Sequence, residues 1–62
     1  MNVEFQIALD GDTIFTMPFN VEDERQLADN TKQAVDAFRE EHPDISLLDE
    51  DVIIQWRRVT SV

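Results

Sequence analysis

Apolar and polar residues alternate from Val3 to Leu9. Val3, Phe5, Ile7 and Leu9 share one face; Glu4, Gln6 and Ala8 share the other. That period of two is the pattern of a half-buried strand. Asp10-Gly11-Asp12 is a turn signal between two apolar runs. A second strand is predicted over 13–19, with Phe15, Met17 and Phe19 on one face. A three-residue loop at 10–12 sets Leu9 opposite Thr13, Ile7 opposite Phe15 and Phe5 opposite Met17, so that the two apolar faces coincide. A two-residue loop turns Phe15 and Met17 to the wrong face and is disfavoured. Pro18 lacks an N–H and marks an edge strand.

The period then lengthens. Leu27, Thr31, Ala34, Val35 and Phe38 recur at helical spacing, with Asp29, Lys32, Asp36 and Glu40 at the polar positions. An amphipathic helix is predicted over 22–41. Asp23 with Gln26 resembles a capping box, and Glu22, Asp23 and Glu24 suit the positive end of the helix dipole. Pro43 restricts His42 and stops the helix. Residues 43–51 form a connection whose Ile45, Leu47 and Leu48 fold back over the core edge. A third strand, rich in β-branched residues, is predicted over 52–60. Val52, Ile54 and Trp56 face the helix, and Ile53, Gln55, Arg57 and Val59 face away.

The element order is ββαβ, an α+β fold in one small domain over residues 1–62. The second and third strands run the same way, with a right-handed helical crossover between them. The first strand, the most apolar, fits between them. The expected architecture is a three-stranded mixed sheet of order 2-1-3, with the helix on one face and the other face uncovered.

Size makes self-association attractive. A 62-residue domain buries only about 60% of the surface its unfolded chain exposes. Without Cys it has no disulfide and no thiolate metal site, which leaves oligomerisation as the expected source of added stability. The absence of Cys also fits a reducing cytoplasm. No signal peptide or membrane-length apolar run is present; the longest aliphatic run is Val52-Ile53-Ile54.

Formal net charge is −9. It disfavours direct binding to nucleic acid or anionic membranes and favours a basic partner. The charge is segregated: residues 1–19 carry −3, residues 20–51 carry −8, and residues 52–62 carry +2 from Arg57 and Arg58. The chain therefore has one acidic surface and one locally basic, apolar strand.

Several residues carry groups capable of chemistry. Ile7-Ala8-Leu9-Asp10-Gly11-Asp12-Thr13 resembles the first motif of haloacid-dehalogenase-type phosphatases, a hydrophobic strand followed by Asp-x-Asp-x-Thr. The resemblance implies Asp10 as nucleophile and Asp12 as acid/base, with magnesium nearby. Thr13 arrives one position early, and the chain lacks room for that family's doubly wound sheet, later Lys and second acidic pair. The same residues read as a hairpin turn. Asp44, Asp49, Glu50 and Asp51 lack the spacing of an EF-hand loop and read as a solvated connection. His42 is the only His and sits at a helix C-terminus, where the dipole favours it. Ser46 and Ser61 lie in no nucleophile elbow. Trp56, beside Arg57 and Arg58, reads as core rather than as a base-stacking platform. No catalytic, cofactor-binding or metal site is assigned; the expectation is a non-catalytic interaction module.

Two surfaces remain. The uncovered sheet face, with Ala8, Ile14, Ile53, Gln55, Arg57 and Val59, is the candidate self-association face of a homodimer, together with the edge of the third strand. The helix and its flanks, with Glu22, Asp29, Asp36, Glu40 and Glu41, form a candidate face for a basic protein. In size and charge this second face resembles that of small acidic phage-encoded inhibitors that mimic DNA.

Overall fold

The computed structural model describes residues 1–59. Thr60, assigned from sequence to the third strand, and Ser61 lie outside the described residues. The elements are β1 (Asn2–Leu9), β2 (Asp12–Asn20), α1 (Gln26–Glu41) and β3 (Val52–Arg58). The sheet order is β2-β1-β3, with β1, the most apolar strand, in the centre as expected. β2 and β3 run the same way, but β1 lies between them. Every hydrogen-bonded pair is therefore antiparallel, and the sheet is antiparallel rather than mixed in its pairing.

The hairpin turn departs from the expected loop. Leu9 pairs with Asp12 and Ala8 with Thr13, so only Asp10 and Gly11 form the turn. Both have positive φ, 53° and 85°, as a two-residue type I′ turn requires. The register then shifts: Ile7 pairs with Phe15, leaving Ile14 as the extra residue of a β-bulge. Leu9 thus does not face Thr13, while the Ile7–Phe15 and Phe5–Met17 pairs form as expected. The disfavoured short loop is used because the bulge restores the parity that it disturbs.

The bulge also moves Ile14. Sequence alternation puts it on the uncovered face, yet it is half-buried and packs against the core. It therefore leaves the candidate self-association face.

The helix starts at Gln26, four residues later than its capping signals suggest. Residues 23–27 first wind through tighter turns, in which the Gln26 N–H donates to the Asp23 carbonyl at 2.9 Å and the Leu27 N–H to the Glu24 carbonyl at 3.0 Å. The expected capping box forms only in altered form, in the turn ahead of α1, whose own N-cap, Arg25, has no side-chain cap. Asp23 Oδ1 accepts from the Arg25 N–H at 2.9 Å, and Gln26 Oε1 accepts from the N–H groups of Glu22 and Asp23. The helix ends at His42, whose N–H donates to the Phe38 carbonyl at 2.8 Å before Pro43.

Phe5, Ile7, Phe15, Ala34 and Phe38 form the buried core between α1 and one sheet face. Its aromatic rings meet edge to face, Phe5 with Phe15 at 6.4 Å and Phe15 with Phe38 at 5.5 Å. Met17, Phe19, Ile45, Leu47, Val52 and Trp56 pack around it, so Ile45 and Leu47 do fold back. Leu48 does not; it is 96% exposed.

Candidate functional site

The two edges of the sheet differ, and backbone phase explains how. Residues directly opposite in an antiparallel ladder alternate between exchanging hydrogen bonds and turning away. The Val21 N–H donates to the Met1 carbonyl, so beyond the bulge, from Phe15 on, the odd-numbered residues of β2 bond to β1 and the even-numbered ones face outward. Pro18 falls on the outward phase. It costs β1 no hydrogen bond and removes a donor from the free edge. With the bulge at Ile14, that edge carries two features that discourage further pairing.

The β3 edge has neither. The Val59 N–H donates to the Asn2 carbonyl at 2.9 Å, and the Asp10 N–H to the Asp51 carbonyl at 3.1 Å. Odd-numbered residues of β3 therefore bond to β1. Ile54, Trp56 and Arg58 turn their backbone N–H and C=O groups outward. Ile53 and Ile54, on opposite faces, are 56% and 45% exposed, and Gln55 is exposed beside them. Ile54 was expected beneath the helix. It points to the helix side, but α1 makes its main strand contacts on the β2 side and leaves Ile54 open.

The uncovered sheet face is more polar at its centre than the alternation suggests. Gln6 is buried there although no helix covers it. Its carbonyl accepts from Gln55 Nε2 at 2.7 Å, and its amide donates to the Glu4 carboxylate. Arg57 lies opposite Glu4 across the β1–β3 ladder. Ala8, opposite Ile53, is half-buried, and Val59 is exposed at the far end. Ala8, Ile53, Gln55, Arg57 and Val59 thus do share the face, with the Ala8–Ile53 pair separated from Val59 by a polar network.

Glu22, Asp29, Asp36, Glu40 and Glu41 are all exposed. They do not form one surface. Asp29, Asp36 and Glu40 fall on one helical stripe at i, i+7 and i+11, with Lys32 beside it; Glu41 is about a third of a turn away. Glu22 precedes the helix. The ion pair of the described residues, Asp23 with Arg25 at 2.8 Å, lies in the turn before α1 and leaves this stripe without a bridge.

The positions singled out for chemistry fall mainly in turns and at element ends. Asp10 belongs to the hairpin turn and Asp12 opens β2. Asp49 Oδ1 accepts from the Asp51 N–H at 2.9 Å, and the Val52 N–H closes a turn onto the Asp49 carbonyl at 3.1 Å. Among the described residues, no three or more His, Asp or Glu side chains gather as metal ligands. Trp56 is partly buried and packs against the core: its ring stands at 70° to Phe5, with centroids 5.2 Å apart.

One concavity was not foreseen. An open recess of about 540 Å³ lies between the end of α1 and the connection, lined by Arg39, His42, Asp44, Ser46, Leu47 and Leu48 among others. The His42 ring rests on Phe38 at 5.1 Å. The only sequence signal was a His-Pro step after a helix. No helix of the described residues is long and apolar enough to cross a membrane.

Comparison with known proteins gives no matching family model, no matching curated protein and no matching solved structure.

Proposed function

We propose that this chain is a small acidic, non-catalytic protein–protein interaction module that self-associates through the β3 side of its sheet. The observation that carries the reading is the contrast between the edges: Pro18 and the Ile14 bulge blunt β2, while β3 presents outward backbone groups between exposed Ile53 and Ile54. Pairing at β3 satisfies those groups and removes aliphatic surface from water, which suits a domain whose own core is small. Size-exclusion chromatography with light scattering tests it. A homodimer elutes at twice the chain mass; a monomer across micromolar concentrations overturns the reading.

A second reading rests on the Asp29, Asp36 and Glu40 stripe, exposed and without an ion pair among the described residues. In it, the helix binds a basic protein surface in the manner of a DNA mimic. Binding of that kind weakens steeply with salt. Capture of basic proteins that is indifferent to salt counts against it.

A further inference from the structure

Charge along β3 and its approach is polar in the literal sense: Asp49, Glu50 and Asp51 stand at one end, Arg57 and Arg58 at the other. Two copies paired with strands parallel set acid beside acid and arginine beside arginine. Antiparallel pairing sets opposite charges together, and only some registers do so well. A two-fold axis normal to the sheet keeps each residue on its own face, so it must pass beside a residue that meets its own copy. With the axis at Gln55, Asp51 faces Val59 and Arg57 faces Ile53. With the axis at Trp56, Ile54 faces Arg58. With the axis at Ile54, Asp51, whose carbonyl still accepts from the Asp10 N–H in ladder register, faces Arg57, and the pair occurs twice.

We infer that two copies join antiparallel along β3 with the two-fold axis at Ile54, forming one continuous sheet. The inference rests on the self-association reading and adds its geometry. Backbone phase agrees with it. Ile54 belongs to the outward set, so the two Ile54 residues exchange N–H···O=C bonds. The Trp56 N–H, also outward, meets the Val52 carbonyl of the second copy. The Val52 N–H keeps its turn bond to Asp49. On the helix side the exposed Ile54 side chains cover each other. On the other side Ile53 lies beside Gln55, flanked by the Asp51–Arg57 pairs. Blunting at β2 closes the assembly at two copies, because the outer edges of the joined sheet are both β2.

Charge exchange tests the register. Asp51→Arg alone, or Arg57→Asp alone, places like charges opposite each other, and each variant's homodimer weakens about tenfold. An equimolar mixture of the two restores both pairs, and native mass spectrometry shows the heterodimer in excess over either homodimer. Single-cysteine variants give a second measurement, because the chain has no cysteine of its own. With oxidised glutathione, Ile54→Cys crosslinks to its copy across a hydrogen-bonded pair of about 5.5 Å between Cα atoms, within disulfide reach. Ile53→Cys and Gln55→Cys, each displaced from its own copy, crosslink less. A wild-type dimer with no charge-exchange rescue, or with Gln55→Cys crosslinking best, overturns this register and leaves self-association standing. A wild-type monomer overturns both.

Discussion

Trp56 Nε1 donates a hydrogen bond to the Thr31 hydroxyl at 3.2 Å, joining β3 to α1 across the sheet. Thr31 in turn donates to the Leu27 carbonyl at 2.6 Å. The indole therefore has its polar atom satisfied while its ring packs on Phe5 and Phe19. Thr31→Val leaves a part-buried N–H without a partner and lowers stability by about 1 kcal/mol. Trp56→Ala, which also loses the aromatic contacts, costs about 3 kcal/mol. Urea denaturation of both single variants and the double variant measures the coupling between them. A double variant equal to the sum of the singles shows that the hydrogen bond contributes nothing.

Phe38→Ala separates the helix from the hairpin. Phe38 is fully buried and touches both Phe15 and the His42 ring. The expected loss is about 3–5 kcal/mol. A domain of this size has about 3–9 kcal/mol in total. A large unfolded population at room temperature, read by circular dichroism, is the expected outcome.

The hairpin turn yields a contrast between neighbours. Gly11 has φ of 85°, so Gly11→Ala is strained by about 1 kcal/mol even though a Cβ there meets nothing within 4 Å. Asp10, at φ 53°, occupies the left-handed region that Asn tolerates well, so Asp10→Asn leaves the melting temperature nearly unchanged.

Ile14 and Ile53 give opposite results. Ile14→Ser loses core contact and lowers stability by about 1 kcal/mol with no effect on association. Ile53→Ser leaves the monomer's stability nearly intact and weakens association. Paired melting and light-scattering experiments separate the two roles.

Acid removes the contribution of Asp23 to the turn before α1. The Arg25 side chain, and then its backbone N–H, hold the Asp23 carboxyl below its ordinary value of 3.8. A lowered folded-state value makes the charged form stabilising. The contribution is therefore present above the ordinary carboxylate range and lost as pH falls through the lowered value. Asp23→Asn melts earlier than the native chain at neutral pH, and the gap closes in strong acid.

Much of this fold is legible because strict alternation in β1 fixes both its faces. The apolar content of that strand also places it centrally. The bulge is not legible, because Thr13-Ile14-Phe15 reads equally as one regular strand in another register; the difference lies in how Asp10 and Gly11 turn. Asp23 and Gln26 announce the helix start, but their bonds close tighter turns before the α-helix proper begins. The exposure of Ile54 depends on where α1 lies across the sheet, and periodicity within β3 carries no information about that. Pro18 was legible as an edge residue. Its outward backbone phase, which makes β2 the closed edge, required the register.

Placing β1 in the centre has a consequence for the order of events during folding. β1 and β2 are joined by a turn and can zip locally. The other side of β1 pairs Val3 with Arg58 and Leu9 with Val52, contacts that span the helix and the connection. Closing so long a loop is slow relative to forming a hairpin. While the chain is being synthesised, the most apolar strand therefore waits with one edge open until β3 emerges. During that interval the hairpin is the species most exposed to mispairing.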